Sequence, residues 1–341
     1  MAGRVQEGKL PSVTLQRLLA RIPTADPSVL LGPSPGEDAA ALAVPAGESL
    51  VIATTDPITF ATQNPGWYAV HINGNDIATR GATPRWFLAT ILLPPTAEED
   101  LPTSILDDII AACRELQVSL VGGHTEVTSA VTRPTVVGAM LGTASLVSLR
   151  HTGGAKPGDR LVLTQGIAIE GTAIVATSHP EHLTGDAANV WSRAVALLRN
   201  PGISVVAAAR IATRFPGVHA MHDPTEGGLA TAVHEMCDAS GTDVSICADD
   251  IVLPETAHVC GMLDLDPLGL LASGALLISV AETDVQGLLD AYARATIPAT
   301  AIGTVHPRGH GRTLTIGSHA HPLPTFSRDE LARYFSSVEH P

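Results

Sequence analysis

The stretch HINGNDIATRGATP, His71–Pro84, predicts a buried helix that carries polar groups at its centre. Small and apolar residues recur at the spacing of one helix face, at Val70, Gly74, Ile77 and Gly81. Asn73, Asn75 and Asp76 interrupt that pattern. Core packing alone therefore does not account for a carboxylate and two carboxamides in this helix.

The chain has 341 residues, of which 45% are hydrophobic and only 3% aromatic. Domains usually contain about 100–200 residues, so this length predicts two of them. The segment GGAKPGDRLVLTQG (153–166) is rich in turn residues and then becomes strand-like. We place the boundary there, which gives an N-terminal domain of residues 1–152 and a C-terminal domain of residues 153–341. Strand-like and helix-like segments alternate in both halves, so the predicted fold class is α/β and α+β.

In the first half, β-branched and apolar runs predict strands at residues 49–56, 86–93, 118–123 and 134–146. The segment LPTSILDDIIAACRELQ (101–117) predicts an amphipathic helix with Thr103 as its cap. In the second half, helices are predicted at 186–199 and 229–240, and strands at 275–280 and 299–305.

The composition and the missing motifs exclude several functions. A net charge of -14 with no basic cluster argues against nucleic acid as a partner. No signal peptide and no apolar run long enough for a bilayer are found, so we expect a cytoplasmic protein without membrane contact. The four cysteines show no metal-ligand spacing. The chain also lacks the Walker A, Rossmann, nucleophile-elbow, protein-kinase and HExxH patterns.

Four acidic or amide clusters lie at turns or strand ends of the first half. They comprise Glu37 with Asp38, Asp56, Asn75 with Asp76, and His124 with Glu126. Hard cations bind such oxygen ligands. Each cluster also has an ordinary explanation: Asp76 four residues before Arg80 forms an ion pair on a helix, Glu37 and Asp38 after Gly36 form a solvated turn, and Asp56 ends a strand. Spacing alone does not show that the clusters converge.

One comparable segment, HDPTEGG, lies in the second half at residues 222–228. Asp223 precedes Thr225, a candidate helix cap, and Gly227. A helix N-terminus with free amides binds anions. Ordinary capping with a packing glycine pair explains the segment equally well.

Six motifs in this order resemble the superfamily of aminoimidazole ribonucleotide synthetase. They are GPSPGEDAAAL, TTDP, NGNDIATRGATP, VGGHTEVT, GAKPGDRLVLTQGIAIEGTAI and HDPTEGGLATAVHE. The superfamily also contains thiamine-monophosphate kinase, selenide water dikinase and the hydrogenase maturation factor of the HypE type. The segments EGKLP, AIEGTAIVA and DPTEGGLA look most similar to the HypE-type branch.

The resemblance implies a PurM-like fold, ATP and Mg²⁺ as cofactors, and a homodimer formed through the sheet of the first domain. Matching motif by motif, it implies metal ligands at Asp38, Asp56, Asp76 and Glu126, and catalytic roles for Asp76 and Asp223. It implies ATP or phosphate contacts at Lys9, Gly36, Asn75, Gly122, Gly123, His124, Thr125, Thr225 and Gly227. His124 stands where several relatives have an acid, and imidazole is a poorer magnesium ligand.

The implied reaction is transfer of the γ-phosphoryl group of ATP to an amide-like oxygen of a small-molecule or protein-borne acceptor. The implied partners are that acceptor and a maturation protein. HypE-type factors carry a C-terminal cysteine that receives a carbamoyl group. In this sequence no cysteine follows Cys260, so we expect a different acceptor.

Three alternatives stay open at this stage. The chain is a non-catalytic ATP-binding maturation or scaffold protein, or a small-molecule enzyme resembling thiamine-monophosphate kinase or the synthetase. The third is a metal-dependent hydrolase that uses His71, His124, Glu126 and His222, although their spacing matches no zinc pattern.

Overall fold

The computed structural model describes residues 8–9, 17–23, 26–31, 41–44, 46–47, 50–58, 63–184 and 188–339. Its chain forms two compact units, Met1–Leu149 and Arg150–Pro341.

The first unit contains a five-stranded mixed sheet. Its strands are β1 (Gly8–Lys9), β4 (Leu50–Ile58), β5 (Thr83–Leu93), β6 (Ser119–Val127) and β7 (Thr135–Ala144), in the order β1-β6-β5-β7-β4. A separate pair is formed by β2 (Val29–Leu31) and β3 (Ala41–Leu42). β5 and β6 are parallel, whereas β7 pairs antiparallel with both β5 and β4. β4 is therefore an edge strand of the sheet as described.

Two helices of the first unit, α1 (Pro65–Thr79) and α2 (Leu101–Leu116), pack on each other and against the sheet. α1 is buried almost all round, as expected for a helix of small and apolar residues. It ends before Gly81, whose positive φ of 73° suits a glycine just beyond a helix. α2 is amphipathic, and its Ile105, Ile109 and Ala112 are buried.

The second unit contains a seven-stranded, mostly antiparallel sheet. Its strands are β8 (Arg160–Thr164), β9 (Val218–His222), β10 (Thr242–Cys247), β11 (Leu277–Val280), β12 (Ala299–Pro307), β13 (Thr313–Ile316) and β14 (His319–Pro322). Their order is β14-β13-β10-β12-β8-β11-β9, with β10 and β13 as the parallel pair.

The helices of the second unit cover this sheet. They are α3 (Ile169–Thr177), α4 (Ala188–Ala196), α5 (Val206–Ala212), α6 (Gly228–Ser240), α7 (Pro254–Leu263), α8 (Glu282–Arg294) and α9 (Glu330–Glu339). Short turns of other helix types occur at Thr152–Gly154, Pro180–Leu183 and Leu198–Gly202. One core lies between α6 and the sheet, where Leu229 and Val233 pack with Leu161, Val244 and Leu277.

The two-unit, mixed α/β architecture predicted from the sequence is confirmed, and the predicted strands and helices overlap observed ones. The helix of the opening stretch ends earlier than predicted, at Thr79, and Thr83 and Pro84 begin β5. The predicted cap is wrong. α2 begins at Leu101, so Thr103 lies inside its first turn and Asp100 holds the cap position. Among the described residues no single helix has the length and apolar character to cross a membrane, although the bent pair Ala188–Ala196 and Leu198–Ala212 meets both requirements together.

Candidate functional site

Asp56 lies on the face of the edge strand β4 that meets helix α1. Exposure alternates along this strand, and Thr54 and Asp56 share the half-buried face. Asp56 is paired with Gly138 of β7. A methyl group at Gly138 would come within 2.4 Å of Asn73 Nδ2, so this side of the strand lies directly under α1.

Asn73 ties α1 to the backbone of β4. Its Oδ1 accepts a hydrogen bond from the Asp56 amide at 3.0 Å, and its Nδ2 donates to the Asp56 carbonyl at 3.4 Å and to the Ala69 carbonyl at 2.8 Å. The side chain is fully buried, so these bonds satisfy groups that water does not reach. One of the two carboxamides in the opening stretch is therefore structural, a role that the motif did not reveal.

Asp76 lies one turn further along the same helix face. Its Oδ2 accepts a hydrogen bond of 2.8 Å from the Thr54 hydroxyl, and its side chain is half-buried. Residues three apart on a helix are neighbours on its surface, so Asn73 and Asp76 both face β4. The structure thus brings Asp56 and Asp76 to one helix–strand junction.

Asn75 lies between Asn73 and Asp76 on α1, and its side chain is fully buried within the first unit of the single chain. Its contact with a phosphate stays a prediction.

Glu126 is too far from this junction to share one metal ion with it in a single chain. β6 and β4 are separated by two strands, which corresponds to roughly 14 Å of sheet. The register also places Glu126 beside Leu92, on the face opposite the buried Ile91 and Leu93 that pack under the helices. The prediction that Glu126 joins the ligands Asp56 and Asp76 is therefore wrong within one chain.

His124 and Glu126 instead form their own pair on the exposed face of β6. Residues two apart on a strand point the same way, and His124 Nε2 lies 3.3 Å from Glu126 Oε2. Lys9 of β1 is the cross-strand partner of Glu126. The register therefore places the backbone of Lys9 beside Glu126, a predicted metal ligand.

The glycine pair before His124 allows close strand packing. A Cβ atom at Gly123 would lie 2.1 Å from the Ala89 carbonyl oxygen of β5, so only glycine fits there. Beside Gly122 and Thr125 lies an apolar pocket of about 70 Å³ that is open to solvent, with Leu18 and Leu106 in its wall. The predicted phosphate contacts at these backbone amides stay a prediction, and Gly36 and Asp38 lie outside the described residues.

In the second unit, the carboxylate of Asp329 occupies the helix N-terminus that the sequence marked as a candidate anion site. α6 begins at Gly228 with Gly227 as its cap residue, so the prediction of Thr225 as the cap is wrong. The Gly227 amide, predicted to contact phosphate, donates a hydrogen bond of 2.6 Å to Asp329 Oδ2. Asp329 Oδ1 also accepts from the Leu331 amide at 2.7 Å, so this buried carboxylate serves the N-termini of both α6 and α9.

Glu170 is a buried acid that the sequence analysis did not select. It lies in the first turn of α3, within the motif AIEGTAI, and its Oε2 has no hydrogen-bond partner among the described residues. Burial raises its pKa to about 7, and the nearby charges of Asp329 and Glu226 act in the same direction. A carboxyl group that titrates near neutral pH can take up or release a proton during a reaction. Predicted catalytic Asp223 is also buried, directly after β9.

The structure does not support the metal-dependent hydrolase. His71 Nε2 lies 2.9 Å from Glu115, which also accepts from Trp67, and His222 Nε2 lies 2.8 Å from Glu235. In the parts of the chain that the structure describes, none of its four predicted ligands belongs to a cluster of three or more such side chains.

Comparison with known proteins agrees with this architecture. Residues 36–144 match the N-terminal domain of AIR synthase related proteins, and residues 156–315 match their C-terminal domain. Carbamoyl dehydratase HypE of Cupriavidus necator is 33% identical over 267 residues, which cover 75% of this chain and 72% of the relative. The chain belongs to the AIR synthase-related family.

Within this family, HypE proteins share the fold of both units. The crystal structure of E. coli HypE has a TM-score of 0.79 at 22% identity, covering 95% of this chain and all of that one. A HypE structure in complex with ATP has a TM-score of 0.72 at 21% identity, covering 92% of this chain and 95% of the other. The superfamily resemblance inferred from the six motifs is confirmed, as is the similarity to its HypE-type branch inferred from EGKLP, AIEGTAIVA and DPTEGGLA.

Proposed function

We propose that this AIR synthase-related chain is an ATP- and Mg²⁺-dependent enzyme that transfers the γ-phosphoryl group of ATP to an amide-like oxygen. Two findings from related proteins support the proposal. A relative at 33% identity is named carbamoyl dehydratase, and a HypE structure with the same fold contains ATP. Removal of water from a carboxamide requires its oxygen to become a good leaving group, and phosphorylation achieves that.

The placement of Asp56 and Asp76 at one helix–strand junction is the observation that carries this proposal. Mg²⁺ is usually held by one or two carboxylates, with waters and substrate phosphates in its other positions. Two half-buried carboxylates on contacting elements, β4 and α1, fit that need. When bound, Mg²⁺ would neutralise charge on the phosphoryl group in transfer.

The surrounding residues hold the two carboxylates in place. Thr54 donates a hydrogen bond to Asp76 Oδ2, which orients the carboxylate group. Asn73 fixes the backbone of Asp56 against α1. Positioning of this kind is the main contribution a protein makes to phosphoryl transfer. Asp38 as a further metal ligand, and Lys9 with the Gly122–Thr125 strand as phosphate contacts, belong to the same proposal.

In this proposal, acidic residues of the second unit take part in the reaction of the acceptor. The amide oxygen forms a bond to the γ-phosphorus, and the bond from that phosphorus to the bridging oxygen breaks, which releases ADP. Elimination of phosphate then requires the acceptor nitrogen to lose protons. Glu170, with its pKa raised to about 7, is suited to receive one, and Asp223 is the second acidic candidate. The acceptor and a maturation partner protein remain part of this proposal, as does the homodimer.

The test uses ADP formation and nucleotide binding by the full chain. Asp76→Asn removes the charge of the proposed ligand with little change in volume. We expect at least a hundredfold lower rate of ADP formation, because the phosphoryl-transfer step depends mainly on charge neutralisation and positioning. The Mg²⁺-dependent part of the thermal stabilisation by ATP should also be lost.

The matched control is Asp290→Asn, which changes an exposed aspartate on α8. Its rate and its stabilisation by ATP should equal those of the unchanged chain. An unaltered rate in Asp76→Asn would overturn the proposed metal site. Stabilisation by Mg²⁺ and ATP without any ADP formation, with carboxamide acceptors present, would favour the ATP-binding scaffold instead.

A further inference from the structure

A compact cluster of metal-ligand side chains lies at the turn Pro180–Leu183 of the second unit and at the residue before it. His179, Glu181 and His182 each offer one ligand atom, and these three atoms lie within 4.8 Å of one another. His179 Nδ1 is 2.6 Å from Glu181 Oε1, and His182 Nε2 is 4.0 Å from the same oxygen. Tetrahedral zinc ligands at about 2.0–2.2 Å from the ion lie roughly 3.3 Å apart, between those two values. Small rotations of the exposed Glu181 side chain would bring the three ligand atoms to this spacing.

Both imidazole rings are held by aromatic neighbours. The His182 ring stacks on that of Trp191, with centroids 4.4 Å apart and an interplanar angle of 26°. Trp191 is fully buried on α4, so it provides a fixed surface. His179 Nε2 is hydrogen-bonded to the hydroxyl group of Tyr334 on α9. A metal-binding histidine commonly donates a hydrogen bond from the N–H of its other ring nitrogen, which fixes the ring orientation and the tautomer.

An ordinary ion pair does not need this degree of organisation. A pair between a histidine and an exposed carboxylate adds little stability in water. Here one oxygen of Glu181 faces both imidazoles, so a single carboxylate links the three side chains. The two imidazoles are 21% and 32% exposed, which leaves the ligand atoms accessible to an ion from solution.

We propose that His179, Glu181 and His182 bind one divalent ion of the zinc class, for which imidazole is a preferred ligand. Two histidines and a glutamate leave a fourth position open for water, as in zinc sites that are not closed. Binding requires His179 Nδ1 to be unprotonated. With Nδ1 bound to the ion, Nε2–H donates to the Tyr334 hydroxyl group.

The first experiment titrates tag-free, chelator-treated full chain with Co²⁺ and then Zn²⁺. We expect one equivalent of Co²⁺ with the visible absorption of a tetrahedral site, displaced by one equivalent of Zn²⁺. His182→Ala and Glu181→Gln should each weaken binding at least tenfold. The double variant His319→Ala with His321→Ala is the matched control, since it removes two exposed histidines from β14, and it should bind as the unchanged chain does.

A second measurement separates metal binding from a structural role. Tyr334→Phe removes only the hydroxyl group that contacts His179 and should weaken Zn²⁺ about tenfold without changing the stoichiometry, as loss of such partners does in other sites. The metal-free variants should melt at the temperature of the metal-free parent, and only the stabilisation by Zn²⁺ should be reduced. Equal affinity in His182→Ala, Glu181→Gln and the parent would overturn the proposal. So would an equal loss in the control.

Discussion

Neighbouring polar residues in α1 serve different purposes because their contacts differ. Asn73 is committed to the backbone of β4 through its amide group, and its complete burial leaves it no route to a ligand. Asp76, one turn away, accepts from a hydroxyl group and stays half-buried. A carboxamide that pairs with both a donor and an acceptor is the right residue to join a helix to an edge strand. A half-buried carboxylate that a hydroxyl group orients is suited to bind a cation.

Glu170 should make stability depend on pH at the residue scale. Its pKa is raised to about 7 in the folded chain from 4.5, chiefly by burial. The folded state therefore keeps a proton that the unfolded state has already lost, and stability should fall as the pH rises from about 5 to about 8. The difference corresponds to about 3 kcal/mol at most.

The variant Glu170→Gln tests this pH dependence. Because glutamine does not titrate, the variant should lack this part of the decrease. Urea unfolding of both chains at several pH values gives the comparison, in which other titrating groups cancel. Parallel curves for parent and variant would contradict the expected burial of an ionisable carboxyl group.

At the scale of elements, one acid joins two helices. Asp329 accepts the Gly227 amide at the start of α6 and the Leu331 amide at the start of α9. Free amides at helix N-termini carry partial positive charge, and a carboxylate between two of them stabilises both. Burial raises the pKa of the Asp329 carboxyl group, and the hydrogen bonds from these two amides oppose that rise.

Asp329→Ala should therefore remove two caps at once. A lost cap typically costs about 1 kcal/mol, so we expect the free energy of unfolding to fall by roughly 2 kcal/mol. Amide hydrogen exchange should accelerate at Gly227 and at Leu331 in particular. Asp329→Asn keeps an acceptor oxygen and should lose less than half as much. Unchanged exchange at Gly227 in the alanine variant would contradict the shared cap.

The outcome for individual elements shows what local sequence can predict. Hydrophobic periodicity located the helices and strands, because each element follows the spacing of its own side chains. The caps at Thr103 and Thr225 were wrong because the cap depends on where the backbone leaves the helix. Asp329 directly precedes an amphipathic segment, which is a signal for a helix cap. Glu170 lies within a motif quoted above, but its burial could not be predicted from that motif. The separation of Glu126 from Asp56 follows from strand order, a long-range property that no local pattern contains.

At the scale of the whole molecule, the exposed apolar residues of the first unit support the proposed homodimer. Val51, Leu146 and Val147 are 50%, 71% and 87% exposed. The register pairs Leu50 with Ala144, so the start of β4 lies beside the end of β7 and the three side chains belong to one region. β4 is also the edge of the sheet as described, and an edge strand can pair with a strand of another chain. We expect a second copy of the chain to cover this region.

A charge placed in this region should dissociate the dimer. Sedimentation velocity should give twice the chain mass of 35.2 kDa for the parent. The double variant Val51→Lys with Val147→Lys should sediment as a monomer, because burying two unpaired ammonium groups costs far more than the apolar contact contributes. Met262→Lys changes an equally exposed apolar residue on α7 of the second unit and should remain dimeric, since it lies outside this region. A monomeric parent, or a double variant that stays dimeric, would show that this sheet edge is not the subunit contact.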